Sequence, residues 1–427
     1  MTSLILFGTL VVLLILNVPI AITLGLAAFF AIIFGDISIP LTMIPQRFFT
    51  SIDSFPFMAI PFFMLGGSLM EKGGLSSRLI GFAKNLVGFL PGGLGIITVF
   101  ASGFFGAISG SNAATVAAIG GIMIPAMVEE KYPKDYATAV GAAAGTLGVV
   151  VPPSVPMITY GVISGVSIGT LFLAGFMPAA IMIVTMCIVI MVISKKNNYP
   201  RYKFSLHELW KSFVHAILAI MMPVIILGGI YSGIFTPTEA GAVSCVYSLI
   251  VTVFIYRELK FKDLRAVLVD AGKSSAIVFF VIATSSSFGW LLTSERIPDM
   301  VATAILGISN NKYIILFLMN VLLLILGIFL ETNAIILLVT PMLLPIARAI
   351  GLDPLVLGLI MVVNTSVGML TPPMALNTLI AAGIGKISIE EVSVKVMPLL
   401  IVLIIDIFIL TYIPDIILFL PSVFGKM

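Results

Sequence analysis

Two polar clusters set inside apolar stretches carry the chemistry this chain can offer: Ser109-Gly110-Ser111-Asn112-Ala113-Ala114-Thr115 and Leu330-Glu331-Thr332-Asn333. Ser, Asn and Thr supply neutral oxygens to a cation, and donors to a carboxylate, without a fixed charge in apolar surroundings. The competing reading is a contact between helices, which small residues also permit. Glu331 resists that reading, because an acid in a membrane segment is costly without a partner or a wet cavity. It is a candidate for cation handling or gating. Asp406 is the other such acid, and pairing with a neighbour or with another subunit would account for it.

Two further stretches contain a Pro-Pro pair: residues 145–154, ending Val151-Pro152-Pro153-Ser154, and residues 364–373, ending Thr371-Pro372-Pro373. Each pair removes two amide donors and clashes with the preceding turn, so the helix must break there. Bare carbonyls cost several kcal/mol in hydrocarbon, so each break must be buried in protein or line a polar cavity. Such carbonyls suit Na⁺, a hard cation. The half-helix that follows offers free amides and a positive dipole end to a carboxylate. A kink that serves packing alone is the competing reading of one pair; two matched pairs favour the functional one.

The elements that position these groups are membrane helices. Of 427 residues 60% are hydrophobic and 10% charged, where a soluble domain carries roughly 25% charged residues. Apolar runs recur from residue 4 to residue 420 and predict roughly ten spans with shorter pieces between them. The first run has no basic region before it and no small-residue cleavage site after it, and is expected to be a permanent helix rather than a signal peptide. Alternating polarity of the barrel kind is absent, so the fold class is an all-α polytopic membrane protein. A net charge of +3 spread over separate loops gives no stripe for a nucleic-acid backbone. Cys187 and Cys245 lie within predicted spans without metal or redox spacing.

Residues 194–211 form a basic loop with Lys195, Lys196, Arg201, Lys203 and Lys211 against Glu208, which the positive-inside rule assigns to the cytoplasm. Residues 257–265, two spans later, are basic again. The loop divides two similar halves. A shift of 220 superposes Pro125 on Pro345, Gly148 on Gly368, Pro152 and Pro153 on Pro372 and Pro373, Gly165 on Gly385, and Pro178 on Pro398. A shift of 221 superposes Gly106 on Gly327 and Asn112 on Asn333. Counting spans gives the halves inverted topology, an arrangement common in secondary transporters. Residues 93–107 and 113–127 would each span roughly 22 Å, short of a ~30 Å core. Each polar cluster therefore reads as the tip of a re-entrant hairpin near the midplane. The two hairpins enter from opposite sides, the first from the cytoplasm, as Arg78, Lys84, Lys131 and Lys134 at its base suggest.

The expected organisation is a first repeat over 1–194 (tip near 109–115, broken helix near 145–154), a cytoplasmic loop over 195–211, and a second repeat over 212–427 (tip near 330–333, broken helix near 364–373). Two other motifs are structural. Ala271-Gly272-Lys273-Ser274 resembles the end of a phosphate loop, but Val267 stands where its first glycine is needed, so no ATP site is expected. Thr236-Pro237-Thr238-Glu239 reads as a helix cap. His207 and His215 lack metal-spaced partners.

The chain resembles the large membrane subunit of TRAP (tripartite ATP-independent periplasmic) transporters. The motifs are Pro45-Gln46-Arg47, Asp53-Ser54-Phe55-Pro56, Ala59-Ile60-Pro61-Phe62-Phe63, residues 106–115, Val151-Pro152-Pro153-Ser154, residues 231–239 and Thr371-Pro372-Pro373, and the likeness covers essentially the whole chain. The resemblance implies a Na⁺-coupled inner-membrane importer of organic acids that works with a small membrane subunit and a periplasmic substrate-binding protein. It implies an elevator movement of a transport domain, about 92–165 plus 312–386, past a scaffold. By motif position one Na⁺ site would comprise Ser109, Asn112, Gly148, Val151 and Pro152, and its mirror Thr332, Asn333, Gly368, Met369 and Thr371. The substrate carboxylate would lie near Ser111, Ser154 and Asn364. Sialic acid is the leading expectation, with C4-dicarboxylates sharing every motif. An intramembrane enzyme would need a paired acid, base or metal set that is not visible. A channel would need a pore lined by carbonyls or charges, which two hairpins alone do not exclude.

Overall fold

The structure, a computed structural model, describes every residue except 17, 37–38, 309–310, 373–374 and 426–427, and leaves undescribed the side chains at 302, 304–306 and 308. Pro373 thus lies outside the described residues. Backbone in hydrocarbon has no water to bond, so it closes its hydrogen bonds within helices. Among the described residues there are helices and no strand.

The first half opens with α1 (Thr2–Ile15), α2 (Ile20–Phe34), α3 (Met43–Ile52), α4 (Ala59–Lys72) and α5 (Leu75–Val87). Hairpin one follows as α6 (Gly93–Ser109) and α7 (Asn112–Glu129), the latter with a π-helical turn at Val116–Gly120. Next come α8 (Lys134–Ala144), α9 (Leu147–Val150), α10 (Val155–Ser164) and the long α11 (Ile168–Asn197). The second half runs α12 (Leu206–Tyr231), α13 (Pro237–Ile255), α14 (Phe261–Ser294) and α15 (Ile297–Ile308). Hairpin two is α16 (Lys312–Phe329) and α17 (Thr332–Ala349), followed by α18 (Pro354–Gly368), α19 (Leu376–Gly385), α20 (Ile389–Tyr412) and α21 (Asp415–Val423).

The repeat is visible in these bounds. The first residues of α6, α7, α8, α10 and α11 precede those of α16, α17, α18, α19 and α20 by 219 to 221. The bent pair α3–α4, turned by 65° at its break, corresponds to the unbroken α14. Two contacts join residues one repeat apart: the Ser366 hydroxyl donates to the Thr146 carbonyl (2.7 Å, buried, 220 residues apart), and the Thr185 hydroxyl to Asp406 Oδ2 (2.6 Å, partly buried, 221 apart). Both therefore lie at the pseudo-two-fold axis.

The hairpins enter from opposite ends, as inverted topology requires. At its start α20 meets the base of hairpin one, where Lys395 Nζ lies 3.5 Å from Asp135 Oδ2 and Lys134 donates to the Lys386 carbonyl. At its finish it meets the base of hairpin two, where the Tyr412 hydroxyl donates to the Tyr313 carbonyl (3.2 Å). The basic segments gather at hairpin one's base: Lys84 sits over the Tyr202 ring, Tyr132 donates to the Pro200 carbonyl, and Arg78 pairs with Glu258 at 2.6 Å.

Among the described residues nine stretches are long and apolar enough to cross a membrane, counting α8–α10 as one and the hairpin arms α7, α16 and α17, or ten with α3–α4 as one span, close to the roughly ten expected by length and composition. Hairpin arms exceed the sequence estimate: α6 has 17 residues, α16 and α17 have 18 each. Length alone would make α7, α16 and α17 spans; at the second tip Leu330, Thr332 and Asn333 are buried, with Thr332 against Met369 and Asn333 against Thr159, which makes α16 and α17 a hairpin. The stretch Lys134–Ser164 is 89% buried in its most apolar window, whereas that of α11 is 33% buried. The breaks are interior, where exposed carbonyls have protein around them.

Thr236 and Glu239 form a reciprocal capping box. Ala271-Gly272-Lys273-Ser274 lies in mid-helix on α14, where no loop exists to cradle a phosphate.

Candidate functional site

The first tip is two residues wide. Gly110, at φ 59, lets the chain reverse against the backbone of Pro153 and Val155, and Ser111 caps α7 by accepting from the Ala114 amide at 3.4 Å. That fold gathers oxygens. Ser109 Oγ lies 3.1 Å from Thr115 Oγ1, and the Thr115 hydroxyl donates to the Ser111 carbonyl at 2.8 Å. Gly148 seals this nest: a Cβ there would meet the Ser111 oxygen at 2.4 Å and Thr115 Oγ1 at 2.6 Å. Two hydroxyls and a carbonyl in a cradle only glycine can line make a donor set suited to a hard cation of Na⁺ size.

Asn112 turns instead to the breaks. Its Oδ1 accepts the Val149 amide (3.0 Å) and its Nδ2 donates to Ser366 Oγ (2.8 Å), tying the first tip to both repeats. Val151 and Pro152 line an apolar cavity of about 510 Å³ with Phe100, Phe104 and Phe176. The structure thus brings Ser109, Ser111 and Gly148 together, with Asn112 alongside and Val151 and Pro152 turned to that cavity.

At the second tip Glu331 is the N-cap of α17. Its carboxylate accepts from the Asn333 amide (3.1 Å) and from Asn333 Nδ2 (2.8 Å), and Thr159 reaches Asn333 Oδ1 from α10 at 3.4 Å. The Thr332 hydroxyl points at the Met369 sulfur at 3.6 Å. Gly327 and Gly368 meet backbone to backbone, as Gly106 meets Gly148 in the first repeat. Glu331 also borders a cavity of about 820 Å³ beside α1 and α2.

The second break begins at Met369, so α18 is intact through Gly368 and Asn364 lies on it a turn earlier. Asn364 Nδ2 donates to Asn320 Oδ1 (2.7 Å), and Asn320 donates to Thr411 (3.1 Å). Two residues before Ser366, Asn364 points to the other side of α18, away from Asn112. Ser154 is buried beside the first tip, and its hydroxyl has no hydrogen-bond partner among the described residues. Thr371 closes the turn through its amide onto the Gly368 carbonyl (2.9 Å). Sequence reasoning placed Thr115 in the first polar cluster but in neither Na⁺ site, and assigned no role to Ser366 or Asn377. The last is buried at the start of α19 with both amide atoms unpartnered among the described residues. Thr115 and Ser366 stand inside the motifs already quoted; Asn377 carries no repeat signal.

Inverted repeats whose hairpin tips abut broken helices inside a bilayer define a membrane transport permease. Residues 7–416 match the family model described as the tripartite ATP-independent periplasmic transporter, DctM component, and the chain belongs to that family. It is 44% identical over 421 residues to the isethionate TRAP transporter permease protein DctMQ of Oleidesulfovibrio alaskensis, covering 97% of this chain and 66% of that relative. The C4-dicarboxylate large permease DctM of Rhodobacter capsulatus is 38% identical over the whole of both chains, and the sialic acid large permease SiaM of Vibrio cholerae 39% over 89% of each. These relatives are named as transport permeases, in line with a transporter rather than an enzyme. In fold the chain resembles the Alcanivorax borkumensis YdaH transporter, with a TM-score of 0.61 at 15% identity over 96% of this chain and 97% of that one.

Proposed function

We propose that this TRAP large permease imports a small organic acid across the inner membrane by coupling it to Na⁺. The observation that carries the reading is the nest of Ser109 Oγ, Ser111 carbonyl and Thr115 Oγ1 closed by Gly148. The cation would sit there and, by the repeat, at a second place near Thr332, Met369 and Thr371. The acid group would lie between, near Ser111 and Ser154. The relatives' names include a sulfonate, C4-dicarboxylates and sialic acid, all organic acids. Sialic acid, a C4-dicarboxylate and isethionate are therefore the candidates to assay.

A transport domain built on both hairpins and broken helices slides past a scaffold of α1–α5, α11–α15, α20 and α21. The small membrane subunit braces that scaffold and a periplasmic binding protein delivers the acid, one partner being fused in the DctMQ relative as its name suggests. The basic loop 195–211 faces the cytoplasm and the C-terminus the periplasm. Uptake into proteoliposomes holding this chain with both partners requires an inward Na⁺ gradient and runs uphill. Uptake indifferent to Na⁺ overturns the coupling, and uptake that only follows the substrate gradient favours a channel.

A further inference from the structure

A further cleft, mainly apolar but with polar groups on one wall, lies away from the hairpin tips, on the opposite side of the fold from the basic loops. It measures about 330 Å³ and lies between α3 and α14 on one wall and α10 and α17 on the other. The α10–α17 wall is apolar: Val162, Ile163, Leu337 and Pro341. These residues lie between the tips and the base of hairpin two, where the Tyr160 hydroxyl of α10 donates to the Pro354 carbonyl. The facing wall carries Arg47, Ser51, Ser285, Ser286 and Thr293 among Phe57, Ile282 and Trp290.

Arg47 is held without being neutralised. Its guanidinium lies 5.4 Å from the Trp290 ring centroid, and among the described residues no carboxylate pairs with it. A ring face orients a guanidinium and leaves its N–H donors free to bond in the ring-parallel plane. Ser285 Oγ is buried with no hydrogen-bond partner among the described residues. An arginine and an unpartnered hydroxyl on the same small cavity form a receptor for an acid group, since arginine matches carboxylate and sulfonate geometry through paired donors.

The repeat shows that this chemistry is one-sided. A shift of 220 residues carries Arg47 to Val267, Ser51 to Ala271, Ser285 to Leu65, Ser286 to Gly66 and Thr293 to Gly73. At that shift the equivalent place near the basic loops has no arginine and no hydroxyl at these positions, although the Lys72–Asp270 ion pair stands one residue from two of them.

We propose that Arg47, with Ser51, Ser285, Ser286 and Thr293, is a receiving site for the acid group of the transported anion. The anion occupies it on the scaffold before reaching the hairpin tips. The site rests on the reading of the chain as an organic-acid importer, and it faces the side from which the anion is delivered.

The test uses the complete complex in proteoliposomes. Arg47→Gln raises the KM for the acid roughly tenfold with maximal rate within about threefold, while Arg47→Lys, which keeps charge but loses paired donors, falls between. The Na⁺ half-saturation stays at the wild-type value in both. A KM for Arg47→Gln within twofold of wild type overturns the site, whatever the Na⁺ response. Loss of Na⁺ dependence in wild type overturns the coupling and leaves the KM comparison readable. If Arg47→Gln fails to fold, Arg47→Cys in a Cys187→Ser, Cys245→Ser background decides. An aminoethyl thiosulfonate restores a cation and low KM, and a sulfonatoethyl reagent does not. Equal restoration by both refutes a role for charge.

Discussion

Replacing Gly148 by alanine is expected to weaken cation binding at the first tip. The added Cβ would stand 2.4 Å from the Ser111 carbonyl oxygen and 2.6 Å from Thr115 Oγ1, both proposed ligands. Ordinary contact begins at 3.4 Å, so the tip must retreat by about 1 Å, and a backbone oxygen cannot swing aside as a side chain can. Overpacking of this kind costs about 1–3 kcal/mol. Taken from cation binding, that is roughly 5- to 150-fold in affinity at 1.4 kcal/mol per tenfold. The assay is the Na⁺ half-saturation of uptake, read beside the rise in melting temperature that Na⁺ gives the detergent-solubilised protein, which needs no transport. Gly81→Ala and Gly272→Ala serve as controls, since a Cβ at either meets nothing within 4 Å. A half-saturation within twofold of wild type, with the Na⁺-dependent melting shift intact, would refute the reasoning.

The remaining predictions concern the tips. Glu331→Ala removes the α17 cap and lowers stability by about 1 kcal/mol, whereas Glu331→Gln keeps an acceptor for the Asn333 amide and retains uptake; loss of uptake in the glutamine variant at normal melting temperature would reassign Glu331 to cation handling. Asn112→Ala and Asn333→Ala both lower the ratio of uptake in Na⁺ to uptake in K⁺. Asn112→Ala also destabilises by about 1–3 kcal/mol, because the Val149 amide loses its buried acceptor. Wild-type ratios in both variants would count against the placement of the tips.

The hairpins and breaks were legible in the sequence because they are demands on backbone: prolines stop helices, glycines permit close approach, and polar residues in apolar runs need a reason. Thr236 announced its cap through Glu239 three residues on, whereas Glu331, read as an acid in a membrane segment, gave no sign that it caps α17. What stayed hidden depended on rotation and crossing. Helix α18 runs unbroken to Gly368, and that continuity decides which way Asn364 faces. The Asn112 bond to Ser366 exists only because the repeats cross, which no spacing within one half records. The 65° bend between α3 and α4 is absent from its counterpart α14; its sequence signal is Pro56, where α14 has Ala276.

The contacts at the pseudo-two-fold axis carry a consequence for how the chain is joined. In a dimer of identical half-length chains, a residue on the axis faces its own copy. Thr185 against Asp406 is a donor facing an acceptor. Two first halves would set threonine against threonine there, and two second halves would set carboxyl against carboxyl in a dry interior, where like charges repel most. The present halves are thus committed to each other: a chain severed within residues 195–211 would reassemble as one first half with one second half, and not as two like pairs.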